Sequence, residues 1–167
     1  TVTDDCILTP SVTFVKDSIS NQVCANQYTI NRIYQAKDTC GNTSTCIQTI
    51  TVNLPTFTVP ANGSSTVNCP ALAIPPTTPA VTDACGTAIT PTLTSTVDNP
   101  SPLTCNGTRV YTYTYTDCAG NSAVWTYTYT IVVPAFAAPA NAGSTVNCIA
   151  LAVPPVIASG TDACGNA

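Results

Sequence analysis

The sequence predicts an all-β protein of disulfide-stapled tandem units. Three observations carry that reading: a strand-forming composition with very little charge, ten cysteines, and one period of about 79 residues along the whole chain.

The composition excludes long helices. Of 167 residues, 31 are Thr, and Val, Ile and Tyr are also frequent. These residues fit a pleated strand, whereas long helices favour Ala, Leu, Glu, Lys and Gln. Fourteen prolines interrupt any helical run.

Charged residues make up 7% of the chain, against ~25% in an ordinary globular domain. All eight acids are Asp, and Glu, His and Met are absent. The net charge of −4 is diffuse, and Lys16, Arg32, Lys37 and Arg109 form no basic patch. Nucleic acid is therefore excluded as an expected partner. No apolar run reaches the ~18 residues of a membrane helix. The longest apolar region, Ile131 to Ala140, is broken by Pro134 and Pro139, so membrane insertion is not expected. No charged-then-apolar signal opens the chain, so an exported protein would carry its targeting segment outside this sequence.

Ten cysteines point to an oxidising compartment, outside the cell or at its surface. Zinc would need close Cys or His pairs. The chain has neither a C-x-x-C nor a His, so no metal site is expected.

The repeat organises the chain. GSSTVNCPALAIPP begins at Gly63 and GSTVNCIALAVPP at Gly143, which puts Cys69 and Cys148 79 apart. Cys6, Cys85 and Cys164 share that spacing, as do Asp38 (DTCGN) and Asp117 (DCAGN), and Pro55 and Pro134. A unit of this size suits a small β-sandwich. The prolines mark the linkers. Residues 56–134 form a complete unit, residues 1–55 the C-terminal part of one, and residues 135–167 the N-terminal part of another. A domain lacking a third of its strands cannot bury its core. The expectation is that a longer tandem chain continues, or that another copy supplies the missing strands.

Within the complete unit the elements follow in order. Thr66–Cys69 is a short strand, and Ala71–Pro79 is an extended, proline-rich edge. Thr82–Gly86 turns, Ile89–Val97 alternates as a strand, and Asn99–Gly107 is a loop. Arg109–Thr116 and Val124–Val133 form a hairpin around DCAGNSA. Tyr111, Tyr113 and Tyr115 share one face, as do Trp125, Tyr127, Tyr129 and Ile131. That face is the expected core. Thr112, Thr114, Thr116, Thr126, Thr128 and Thr130 lie on the other.

VTDACG, then GTRVYTYTYTDCAGN, then WTYTYTI resemble the hyalin-repeat (HYR) family in motif, order and spacing. The resemblance covers the central unit and parts of both flanking ones. It implies tandem immunoglobulin-like β-sandwiches in extracellular proteins, bacterial surface adhesins among them, with no catalytic residue. The family often has a Cys at the start of its last strand. Here Cys46 holds that place in the first unit and Trp125 in the second, so the family's disulfide pairing does not transfer directly.

Geometry suggests a pairing instead. Arg109–Thr116 extended spans ~26 Å, while bridged Cα atoms lie within ~7 Å. Cys105 and Cys118 sit at opposite ends of that strand and should not pair. The extended prolines separate Cys69 from Cys85 in the same way. That leaves Cys85 with Cys118 and Cys69 with Cys105, among the three connectivities that four cysteines allow. By repeat position, Cys6 pairs with Cys40. Cys24 and Cys46 are left over, and a bridge between subunits or repeats from Cys148 to Cys24 is a further expectation.

Catalytic chemistry is not expected. Without His, Ser and Cys nucleophiles lack their usual activator. Asp83 and Asp117 could contribute to a calcium site, but turn capping is the favoured role for Asp at such places. No cofactor motif is present. Sequons occur at Asn42, Asn62 and Asn106. Thr112, Thr114, Thr126 and Thr128 are candidate sites for O-linked sugar, which would cover a low-charge surface. Asp17–Ile19 (DSI) resembles a bacterial O-glycosylation context and adds Ser18.

The functional expectation is a structural, non-enzymatic, extracellular protein whose partners are copies of itself. Joined head to tail, residues 135–167 of one copy could complete residues 1–55 of the next by strand complementation. Pro154, Pro155, Ile149, Leu151, Val153 and Val156 suit an extended donor. The alternatives are an adhesin, or accessory domains of a larger secreted protein. Under denaturing, reducing conditions the intact mass is expected at 17.1 kDa plus sugar-sized increments. A far larger mass would indicate a covalent array, and the bare mass would remove the glycans.

Overall fold

The computed structural model describes residues 9–135, 140–156, 160–162, 164 and 165. Nine strands and two 3-10 turns make up its regular structure, and no α-helix occurs among the described residues. They fall into two compact units. One contains the chain up to Val59 together with Pro79–Pro91 and Thr114–Val124. The other contains Pro60–Thr78, Thr92–Tyr113 and the chain from Trp125 onward.

The first unit holds a three-stranded antiparallel sheet in the order β1 (Ser11–Cys24), β2 (Gln27–Lys37), β3 (Thr43–Val52). Apolar and polar residues broadly alternate through all three. A bulge at Val15 shifts the register between Phe14 and Lys16, turning the strand locally. The first unit also holds a two-stranded antiparallel ladder, β5 (Val81–Thr82) with β6 (Ala88–Ile89).

The second sheet runs β4 (Gly63–Val67), β9 (Ser122–Ile131), β8 (Gly107–Thr116), β7 (Thr92–Asn99). β8 and β9 realise the expected hairpin. β4 pairs with β9 in parallel, Gly63 opposite Tyr127 and Val67 opposite Ile131, a direction the sequence pattern did not indicate. Pro91 divides the strand expected at Ile89–Val97 into β6 and β7, because proline cannot donate to a ladder. The expected Ala71–Pro79 edge strand is instead a 3-10 turn at Pro70–Leu72 followed by irregular chain.

The tyrosine face is the core, as alternation predicts. Tyr111, Tyr113, Tyr115, Trp125, Tyr129 and Ile131 are buried. Tyr111 and Tyr129 meet edge-on at 6.2 Å, and Trp125 lies 6.0 Å from Tyr113. Their polar atoms tie down irregular chain at Ala61 and along residues 73–79. Tyr111 Oη donates to Ala73 O at 2.7 Å, Tyr115 Oη to Pro79 O at 2.8 Å, and Trp125 Nε1 to Ala61 O at 3.0 Å. Strandless backbone thus finds partners that a ladder would otherwise supply. Arg109 grips Asp98 through Nε and Nη2 at 2.7 and 2.9 Å, and its Nη1 donates to Ala73 O.

The described residues contain two disulfides, Cys24–Cys118 and Cys69–Cys164. They replace the expected Cys85–Cys118, Cys69–Cys105 and Cys24–Cys148 pairs. Cys40, Cys85, Cys105 and Cys148 are exposed free thiols, as is Cys46. Cys6 lies outside the described residues. Cys69 and Cys105, the expected pair, both line a cavity of about 310 Å³ without bonding to each other. Cys164 lines the same cavity and takes the bond. Cys24, at the end of β1, comes within 5.7 Å Cα to Cα of Cys118 and does likewise there.

Tyr115→Phe removes only the hydroxyl that holds Pro79 O and should cost about 1–3 kcal/mol. Ile131→Ala, at a site 1% exposed, should cost about 2–5 kcal/mol. Urea denaturation followed by tryptophan fluorescence measures both.

Candidate assembly surface

The register of β1, β2 and β3 sorts their side chains onto two faces. One carries Ser11, Thr13, Ser18, Ser20, Thr29, Asn31, Gln35, Thr45, Thr49 and Thr51, with Ile33 and Ile47 the apolar exceptions. The other collects Val12, Phe14, Ile19, Tyr28, Ile30, Tyr34, Ala36, Cys46, Ile50 and Val52. This second face also holds Asp17, Arg32, Ser44 and Gln48, and among the described residues it is largely apolar and open. Phe14 is 56% exposed and Ile19 58%.

One ion pair crosses the apolar face. Arg32 Nε and Nη2 donate to the two oxygens of Asp17, both at 2.9 Å. That contact holds the Asp17 carboxyl below the usual carboxylate range and raises Arg32. The guanidinium also lies 5.8 Å from the Phe14 ring centre, and Phe14 meets Tyr34 edge-on at 6.3 Å. The result is an ordered aromatic-cation cluster on an uncovered sheet. The outer edge of β3 adds a row of backbone groups, since β3 pairs with β2 and with no other strand among the described residues.

Four Asp turns recur along the chain. In all four a glycine takes a positive φ where a Cβ is disfavoured: Gly41 at +94°, Gly86 at +85°, Gly120 at +88° and Gly165 at +82°. Asp38, Asp83 and Asp117 each accept the backbone N–H four residues on, at 2.7, 2.8 and 2.9 Å. Asp83 and Asp117 also accept the N–H two residues on, and Asp162 Oδ1 accepts from Cys164 N at 2.9 Å. The carboxylates expected either to cap turns or to ligate calcium are capping turns. Asn42 Nδ2 holds Asp38 below the usual carboxylate range, and the Thr87 N–H does the same for Asp83.

The candidate glycosylation residues occupy different settings. Ser18 is exposed on the polar face of β1. Thr112, Thr114, Thr126 and Thr128 are half-buried on β8 and β9. All three sequon asparagines are engaged within the chain. Asn42 Nδ2 donates to Asp38, Asn62 Oδ1 accepts from Thr126 N, and Asn106 Oδ1 accepts from Val133 N.

The central unit carries four cysteines, Cys69, Cys85, Cys105 and Cys118, on its aromatic-cored sheet and turns. Residues 57–131 match the family described as the HYR-like domain with 4 cysteines. This stretch is similar to that HYR-like domain over those residues. Neither the curated proteins nor the solved structures yield a match to the chain. Against the HYR-like domain as template, a shift of 79 residues sets β2 on β8 and β3 on β9. Tyr34 then corresponds to Tyr113, Cys46 to Trp125 and Val52 to Ile131. The open face is the equivalent of the covered one, a relation visible in the sequence only once the strand register is known.

Asp83 ties its turn chiefly as a carboxylate. A carboxyl with a lowered folded pKa stabilises above its ordinary value near ~3.9, and that stability is lost as pH falls through the folded value. The urea midpoint should therefore drop as pH falls from about 4 toward 2. Asp83→Asn, which keeps the Oδ1 acceptor, should be weaker at pH 7 but lose less over that window.

Proposed function

We propose that the protein is a non-enzymatic structural module of an extracellular fibre or filament. HYR-like units join head to tail, and an extended segment from a neighbouring copy completes the open sheet by strand complementation. The observation that carries this reading is the apolar face of β1–β3, with Phe14 and Ile19 more than half exposed. An exposed apolar sheet face favours association by about 25 cal/mol for each Å² it buries. An unpaired strand edge beside it supplies backbone hydrogen bonds.

Extracellular placement fits the HYR-like domain, the disulfides, and the lack among the described residues of any helix long and apolar enough to cross a membrane. Sugars on Ser18 and on the threonines of β8 and β9 would add polarity to faces that carry little charge. The partners are copies of the chain and covalent glycans, without nucleic acid or membrane insertion. Adhesion is the second reading, and the exposed Phe14–Tyr34–Arg32 cluster favours it, since such groups anchor protein interfaces.

Phe14→Asp places a charge on the open face without touching the buried core. Wild-type protein is expected to form species heavier than one chain in sedimentation velocity, and Phe14→Asp to shift them by at least tenfold in concentration toward the monomer. Unchanged association would exclude this face.

A further inference from the structure

The occupant of the open sheet can be identified from the protein's own covered copy, an inference that rests on the assembly reading above. In the covered copy, β4 lies parallel to β9, and Cys69 leads into the 3-10 turn Pro70–Leu72. Cys69 and Ala73 are buried there, Ala73 at 1% exposure. The second occurrence of this sequence, Ser144–Cys148 (STVNC) and Ala150–Ala152 (ALA), repeats Ser65–Cys69 and Ala71–Ala73 residue for residue.

It also repeats the backbone of the turn. Cys69 has φ −145°, ψ 144° and Ala73 φ −80°, ψ 64°. Cys148 has φ −140°, ψ 147° and Ala152 φ −79°, ψ 63°, around the 3-10 turn Ile149–Leu151. The turn is preformed but naked. Cys148 and Ala152 are exposed, and Ile149 is 91% exposed. The same shape is thus present once against a sheet and once without one. The equivalent sheet has no such cover among the described residues.

We infer that residues 142–152 of a second copy dock on β1–β3, running parallel to β3. Shifting the β4–β9 register by 79 residues sets Ser144 opposite Ile50, Thr145 opposite Thr51 and Val146 opposite Val52. Cys148 and Ala152 then cover the apolar face. Leu151 and Val153, expected from sequence to be donor anchors, are not the contacts. Their counterparts Leu72 and Ile74 stay exposed in the covered copy. A small residue fits position 152, because its counterpart Ala73 is only 1% exposed in the covered copy.

The test uses two full-length variants, each altered at an exposed position. Ala152→Asp spoils the docking segment and leaves the sheet intact, while Phe14→Asp does the reverse. Each alone should sediment as a monomer, and their mixture should form a 1:1 dimer at twice the single-chain mass. Denaturing gels without reductant separate docking from chance thiol cross-links, and circular dichroism confirms that both variants keep their strands. If wild type associates but Ala152→Asp associates equally well, or the mixture stays monomeric, this occupant is wrong and the assembly reading survives. A monomeric wild type overturns both.

Discussion

A β-sheet with one apolar face is stable only when that face is covered, and this constraint organises the protein. The central unit meets it within its own chain. Tyr111, Tyr113, Trp125, Tyr129 and Ile131 are buried, and the cover is a segment with little regular structure. Such a cover would leave backbone groups unpaired. The aromatic side chains solve that problem too, donating from their polar tips to Ala61, Ala73 and Pro79 carbonyls. Tyr and Trp suit this double duty because one end is apolar and the other carries a donor. The β1–β3 sheet has the same alternation and fewer aromatics, with Ala36 at the place of Tyr115 and Gln48 at that of Tyr127. Its face also carries a charged pair, Asp17 with Arg32.

Small β units with little charge need more than a hydrophobic core. Here the turns are built by Asp carboxylates on backbone N–H groups, and long-range links come from disulfides. Cys24–Cys118 and Cys69–Cys164 join residues 94 and 95 apart in sequence. Each bond closes a long loop, the case in which a cross-link most constrains the unfolded chain. The free thiols Cys40, Cys85, Cys105 and Cys148 occupy turns and loops that repeat the bonded positions or lie beside them. A repetitive chain thus offers several chemically equivalent partners for each sulfur.

The low charge follows from the same architecture. Threonine rows face outward on β8 and β9, and mixed Ser, Thr and Asn rows do so on β1–β3. These residues satisfy a strand surface by hydroxyl and amide contacts, as Thr94 does with the Thr112 carbonyl and Asn31 with Ser20. A surface of this kind has no strong electrostatic steering. Contacts made by shape, backbone pairing and apolar burial fit it better than recognition of a charged ligand.

The sequence by itself determined the all-β class, the 79-residue period, the β8–β9 hairpin and the identity of its buried face. Period-2 alternation states which residues share a face before any partner is known, and repeated motifs at constant spacing state equivalence. It also determined the HYR-like character, through DACG, DCAGN and the closing alternating strand. Tertiary structure decided the rest. The direction of β4 was not legible, since a short strand reads the same in parallel and antiparallel pairing. Pro91 was visible, but its division of one strand into two depended on which backbone groups needed partners. The disulfides were not legible either, because Cys164 and Cys105 compete for Cys69 by position in space, and sequence equivalence cannot rank them. Whether a face is covered was also decided in three dimensions. Alternation marks Val12, Phe14 and Ile19 as belonging together, but burial depends on a second surface, and that surface is a tertiary fact.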